Sequence, residues 1–327
     1  MEPVPGASLP LRELADRRRL LVGAAVAIGP LLADQDYRRV LAREYNCLVP
    51  ENHLKWGPLR PAPDRFDFAA ADAMVDFAHA HRMQVRGHTL VWHNAVPAWL
   101  TGGSYGRTDL ERLLQEHIQA VVGRYRGRIF AWDVVNEAVA ERGGLRETIW
   151  SRALGPRYLD LAFRWAHEAD PQARLFLNDF GAEGLGAKAA GVYRLAQQLL
   201  EREVPLHGIG LQMHVGLGRY PAPEEVAANI NRLAALGLEV HVTEMDVRIQ
   251  DGKGTREERL AAQARVYGDL LAACLPASGF RALLTWGFTD RHSWIPWHTG
   301  RPDAALPFDE SYQPKPAYFA LARVLEG

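Results

Sequence analysis

Two glutamates, Glu137 and Glu244, carry the clearest chemical signal in the chain. Each closes a strongly apolar run: Ile129-Phe130-Ala131-Trp132-Asp133-Val134-Val135-Asn136 leads into Glu137, and Glu239-Val240-His241-Val242-Thr243 leads into Glu244. A single carboxylate at a strand end is ordinarily an exposed loop charge or an ion-pair partner. Two that share an aromatic-walled cleft can divide the work of an acid and of a nucleophile or base, the arrangement that cleaves glycosidic bonds. Tryptophan is in excess of what a core of this size needs, with nine residues at positions 56, 92, 99, 132, 150, 165, 286, 294 and 297, several in polar segments. Indole faces stack on the apolar faces of pyranose rings, and about half of these tryptophans are expected at such a site, the others in the core. Asn136, beside the first carboxylate, is suited to hold a sugar 2-OH, a contact that gains strength in the transition state.

Metal chemistry is the main competing use of these residue types. Twelve histidines include His79 and His81, and the strand-end residues His88, His93, His214 and His241. His79 and His81 lie two apart on a helical pattern and cannot share a face. The strand-end histidines sit beside Thr89, Trp92 and Gln212, which suit sugar hydroxyls better than the outer shell of a metal ion. No metal site is expected. Along the run into Glu244, a period of two places Val240, Val242 and Glu244 in one core-facing row and turns His241 to the opposite side.

The positioning elements are legible as alternation. Apolar runs of strand length recur at 20–27, 45–53, 84–93, 129–138, 174–180, 208–215, 239–247 and 281–290. Between and after them, 34–44, 69–82, 109–125, 158–169, 188–203, 223–236, 256–274 and 316–325 show the 3.6-residue apolar period of amphipathic helices. Near-continuous apolar strands alternating with helices predict a parallel sheet covered by helices, and eight such units predict a closed (β/α)8 barrel in a single domain. Chemistry in that fold sits at the carboxyl ends of the strands. Arg17-Arg18-Arg19 followed by an apolar stretch from Leu20 mimics a secretion signal. Spending that stretch on a signal would leave seven strands, so it is assigned to strand one.

Composition excludes several classes. In 327 residues, 38 Lys+Arg offset 39 Asp+Glu, so no global field steers the chain onto nucleic acid or an acidic membrane. No apolar run is long enough for a membrane span. Cys47 and Cys274 lie in apolar segments and are expected as buried thiols rather than a disulfide.

The strand ends resemble glycoside hydrolase family 10, the endo-β-1,4-xylanases of (β/α)8 architecture. The likeness runs from about Leu11 to Leu325 and rests on long motifs: Pro50-Glu51-Asn52-His53-Leu54-Lys55-Trp56, Arg86-Gly87-His88-Thr89-Leu90-Val91-Trp92-His93, Trp132-Asp133-Val134-Val135-Asn136-Glu137-Ala138, Gly208-Ile209-Gly210-Leu211-Gln212-Met213-His214, Val242-Thr243-Glu244-Met245-Asp246, and Thr285-Trp286-Gly287-Phe288-Thr289-Asp290 with Ser293-Trp294. The resemblance implies Glu137 as general acid/base and Glu244 as nucleophile of a retaining hydrolysis of internal bonds in xylan or xylo-oligosaccharides, without cofactor or metal. It implies Asn136, His88, Trp92, Gln212 and Trp286 around the minus-one sugar. Glu51, Asn52 and Lys55 would hold the minus-two sugar, Trp294 would close over both, and His214 and Asp246 would tune the nucleophile. It also implies a cis peptide after His88. His53 and Leu211 depart from the residues common in relatives and touch only subsite detail.

The same carboxylates would serve a retaining β-1,4-glucanase or a mixed xylanase/cellulase, and a non-catalytic carbohydrate-binding barrel is the alternative from another class. Neither nucleic acid nor membrane is expected as a partner, and the oligomeric state is open. With the apolar stretch assigned to strand one, the expected location is the cytoplasm, or outside the cell after removal of an upstream signal peptide not contained in these 327 residues.

Overall fold

The computed structural model describes residues 9–327. Among the described residues nine strands follow in chain order: β1 Leu21–Val26, β2 Cys47–Pro50, β3 Gln84–Val91, β4 Ala131–Asn136, β5 Arg174–Asp179, β6 Gly208–Leu211, β7 His214–Gly216, β8 Glu239–Arg248 and β9 Phe280–Thr285. All pairings between them are parallel, running from β6 through β5, β4, β3, β2, β1 and β9 to β8, and β6 pairs β8 to close the circle. The short β7 adds only to the upper half of β8. The result is the expected (β/α)8 barrel. The expected sixth strand is broken at Gln212 and Met213, where Met213 takes a left-handed backbone (φ 66°).

The long helices follow the predicted periodicity within a few residues. Asp34 starts the helix Gln35–Glu44 by accepting from the backbone N–H of Asp36 and Tyr37, and Thr255 and Glu258 form a reciprocal cap on Arg256–Cys274. Most strands end earlier than the apolar runs suggest, because the residues beyond leave the sheet to form the mouth. β2 stops at Pro50 and β9 at Thr285. Arg18, in the pseudo-signal, anchors the amino end instead: its Nε donates to Leu325 O in the last helix (2.6 Å). Both cysteines are buried free thiols. Among the described residues no helix is long and apolar enough to cross a membrane.

The barrel interior is divided. On the β1, β2 and β9 side it is apolar, built from Ala25, Cys47, Val49, Ala282 and Leu284 with Trp286 above them. On the β3, β4 and β8 side it is ionic: the fully buried Arg86 pairs with Asp133, contacts His241 Nδ1 at 2.7 Å and lies over the Phe176 ring. A buried charge survives only when paired and hydrogen-bonded, and both partners are supplied here.

This division corrects the expected side-chain row on β8. His241 and Thr243 point into the barrel, where Thr243 Oγ1 donates to Asn178 Oδ1 (2.7 Å), while Val240 and Val242 join the apolar layer under the helices. Strict alternation would bury Glu244 beneath the helices as well. A register shift between Val242 and Met245 inserts the extra residue that turns Glu244 back over the mouth. Strands β3 and β4 carry similar shifts, at His88/Val91 and at Asp133/Val135.

Between β3 and β4 the outer layer admits no spare atom. A Cβ at Gly87 would stand 2.2 Å from Trp132 Cε3. Gly87→Ala is therefore expected to destabilise the fold by about 1–3 kcal/mol through overpacking, read as a lowered denaturant midpoint; an unchanged midpoint would show that Trp132 moves aside freely.

Candidate active site

A cleft of about 1380 Å³ opens at the carboxyl end of the barrel. The residues expected at the site from sequence, from Glu51 on β2's exit to Trp294 beyond β9, all line it. Of the nine tryptophans, Trp92, Trp286, Trp294 and Trp297 face this cleft, whereas Trp56, Trp132, Trp150 and Trp165 are core residues.

Glu137 and Glu244 are joined through side-chain amides. Asn178 Nδ2 donates to Glu244 Oε1 (2.7 Å) and to Asn136 Oδ1 (2.9 Å). Gln212 Nε2 lies 3.2 Å from Asn136 Oδ1 and 3.4 Å from Glu137 Oε1. Asn136 and Asn178 are register neighbours on β4 and β5, which is why these amides meet. Gly210 is the next neighbour on β6, and a Cβ there would stand 2.1 Å from Asn178 Oδ1. With its oxygen engaged by Asn178 and Gln212, Asn136 keeps its NH2 on the Glu137 side, 3.4 Å from Oε1.

The backbone of Glu137 is clamped in the left-handed region (φ 59°), a conformation costing about 1–2 kcal/mol for a residue with a Cβ. Its N–H donates to Asn178 O (2.8 Å), and its carbonyl accepts from Arg146 Nε (2.9 Å). The strain re-aims the side chain from the strand's edge into the cleft.

Glu244 is 4% exposed. Burial raises its proton affinity, but the hydrogen bond from His214 and the charges of His88 and His214 outweigh that and hold the carboxyl below its ordinary range. His214 Nε2 reaches Glu244 Oε2 at 3.2 Å, and His214 Nδ1 reaches Asp246 Oδ2 at 2.7 Å. Burial disfavours the imidazolium, yet Asp246 first and Glu244 second push its pKa up to about 10. Trp294 Nε1 donates to the same Asp246 oxygen (2.9 Å), so the tryptophan wall and the carboxylate's partner share an anchor.

On the other flank, His88 Nδ1 is held by Asp133 Oδ2 (2.9 Å), and the His88–Thr89 peptide is cis. The His88 ring stands edge-on to Trp286 (5.1 Å between centroids). Lys55 Nζ donates to Asn52 Oδ1 (2.8 Å) and sits over the rings of Trp92 and Trp286, at 5.1 and 5.5 Å. Burial pulls the Lys55 pKa down against the attraction of Glu244, Glu51 and Glu137. Burial pushes Glu51 up, opposed by Lys55. His53 is not among the cleft-lining residues and Leu211 is buried in β6.

Several contacts of these residues are visible only in three dimensions. His93 Nε2 lies 4.0 Å from Glu137 Oε2, its pKa lowered by burial against the pull of Glu137, with Arg146 and Lys188 adding to the lowering. Glu183 Oε1 accepts from the N–H groups of Gly181 and Met213 (3.0 Å each), pinning the left-handed residue between Gln212 and His214. Asn178 lies near the end of the apolar run 174–180, and its hub position needs the register. Among the described residues no group of three or more His, Cys, Asp or Glu side chains could hold a metal ion.

The profile of the family Glycosyl hydrolase family 10 matches residues 10–324. Endo-1,4-beta-xylanase B of Thermotoga neapolitana is 42% identical over 320 residues, covering 97% of this chain and 92% of that protein. Beta-1,4-xylanase of Dictyoglomus thermophilum is 38% identical over 334 residues, covering 98% and 93%. The crystal structure of xylanase 10B from Thermotoga petrophila RKU-1 in complex with xylobiose superposes with a TM-score of 0.94 at 41% identity, covering 100% of this chain and 98% of that one.

The charge on His214 is directly testable by NMR titration of the imidazole. In the unmodified protein it is expected to stay protonated from pH 5 to 8, as a pKa raised to about 10 requires. Asp246→Asn removes the larger opposing influence, so burial draws the titration downward in pH; an unshifted titration in that variant would break the link between Asp246 and His214.

Proposed function

The chain belongs to glycosyl hydrolase family 10, and we propose from that membership that it is a retaining endo-β-1,4-xylanase in which Glu137 is the acid/base and Glu244 the nucleophile. The observation that carries the assignment is the asymmetry of the pair. Glu244 is buried, yet an imidazolium and an amide N–H hold it in the charged form that attacks carbon. Among the described residues the Glu137 carboxylate has no cationic partner nearer than His93, at 4.0 Å, and that imidazole is held toward the neutral form.

In the first step a lone pair of Glu244 forms a bond to C1 of the minus-one xylose while the C1–O bond to the leaving sugar breaks, and Glu137 donates its proton to that oxygen. In the second, water attacks C1, Glu137 takes its proton, and the ester bond to Glu244 breaks. Two inversions give net retention. The short chain of amide contacts between the carboxylates suits the close spacing of roughly 5–5.5 Å that covalent attack demands. Asn136 donates to the 2-OH, and Gln212 and His88 hold further polar groups of the same ring.

Xylan lacks the hydroxymethyl group of glucans. The Trp286 and Trp294 rings, the first against His88 and the second bonded to Asp246, supply bulk where that group would stand. The minus-two ring is held by Glu51, Asn52 and Lys55, a carboxylate, an amide and an ammonium set out for hydroxyl recognition. Xylan and xylo-oligosaccharides are accordingly the substrates of this reading.

Glu137→Gln removes the proton that a sugar leaving group needs. It is expected to lower kcat on xylan by about 10²–10⁴-fold and to spare the first step on aryl xylosides whose leaving group needs no protonation. Comparable losses on both substrates would contradict the role given to Glu137.

A further inference from the structure

Trp297 stands apart from every other tryptophan in the chain. It is 87% exposed and still lines the cleft. A lone exposed apolar residue on a mobile loop calls for no explanation; this one sits on a built support. It lies in the helix Ile295–Thr299, whose first residue is buried in the core and whose end is capped by Gly300 in the left-handed region (φ 67°). The helix is tied to the segment after β8: Gln250 Nε2 reaches Thr299 Oγ1 (3.4 Å), and Arg301 donates to Gln250 O (3.0 Å) and to Asp251 Oδ1 (3.1 Å). The indole is therefore presented to solvent by a rigid element, which lowers the ordering cost of any ring that stacks on it.

Position in the helix says what it would meet. Trp294 and Trp297 are three residues apart, so they occupy neighbouring positions on one face. Trp294 is committed: its Nε1 bonds Asp246 and its ring stands 5.2 Å from His214. Among the described residues Trp297 makes no hydrogen bond, leaving both a bare indole face and a free N–H at the rim of the same cleft.

We propose that Trp297 is a distal sugar platform, stacking on a xylosyl residue further along the bound chain than those held at Trp286 and Trp294. This rests on the xylanase reading above. The ligand is a neutral xylo-oligosaccharide of at least four units, and the platform contributes to chain-length preference without touching the reacting atoms. Its apolar face takes the C–H face of the ring and its N–H can donate to a hydroxyl.

The test compares Trp297→Ala and Trp297→Phe with the unmodified enzyme on an aryl β-xylobioside and on xylohexaose. The alanine variant is expected to lose about three- to tenfold in kcat/KM on xylohexaose, mainly through KM, the size of one lost aromatic contact. The xylobioside, too short to reach the platform, keeps its rate, and phenylalanine restores most of the loss on the long chain. An equal effect on both substrates, or none on either, overturns the platform. Absence of turnover on both substrates by the unmodified enzyme would instead refute the xylanase reading on which it stands.

Discussion

A carboxylate as deeply buried as Glu244, 4% exposed, remains ionised only if the protein replaces the water it has lost. Much of the barrel mouth follows from that constraint. Asn178 supplies one hydrogen bond and His214 a second that carries a charge. The imidazolium is itself a buried cation in need of a partner, which is Asp246. Asp246 then shares its oxygen with Trp294, so the wall that would grip the sugar is mechanically joined to the group that would attack it. Below, the Arg86–Asp133–His88 network repeats the solution, each charge paired before the next is added.

The second carboxylate is built by a different device. Glu137 is aimed by its backbone, with a left-handed φ enforced by Asn178 O on one side and Arg146 on the other. Asn178 thus serves both glutamates, Glu244 through its side chain and Glu137 through its carbonyl. Gly210 leaves the space that this shared residue occupies. One strand tip, set between β4 and β6, positions the two groups whose relative placement decides the proposed chemistry.

How much of this could be read from sequence depends on the physics involved. The barrel was legible because each of its units repeats the same local signal, an apolar strand followed by an amphipathic helix. The carboxylates were legible because each closes a strongly apolar run, although the strand carrying Glu244 continues to Arg248. Their orientation was not: a period of two applied to Val240, Val242 and Glu244 fails at the register shift before Met245, and such a shift leaves no mark in composition. The contact of His93 with Glu137 and that of Glu183 with Met213 N–H escaped for a related reason, since both cross from one loop to another. Of the cleft tryptophans, Trp92, Trp286 and Trp294 were named from the motifs and only Trp297 was not. Trp56 ends one of the site motifs in sequence yet is buried against His117 and Trp150.

The central claim is that Glu244 forms the covalent bond to sugar. It is most directly tested by incubating the enzyme with a 2-deoxy-2-fluoro-β-xylobioside carrying a good leaving group, then digesting it and locating the label by mass spectrometry. The fluorine slows hydrolysis of the ester, so the account predicts stoichiometric loss of activity with one fluoroxylobiosyl group on the peptide containing Glu244. A label on Glu137, or full turnover with no trapped ester and an inverted product, would contradict it.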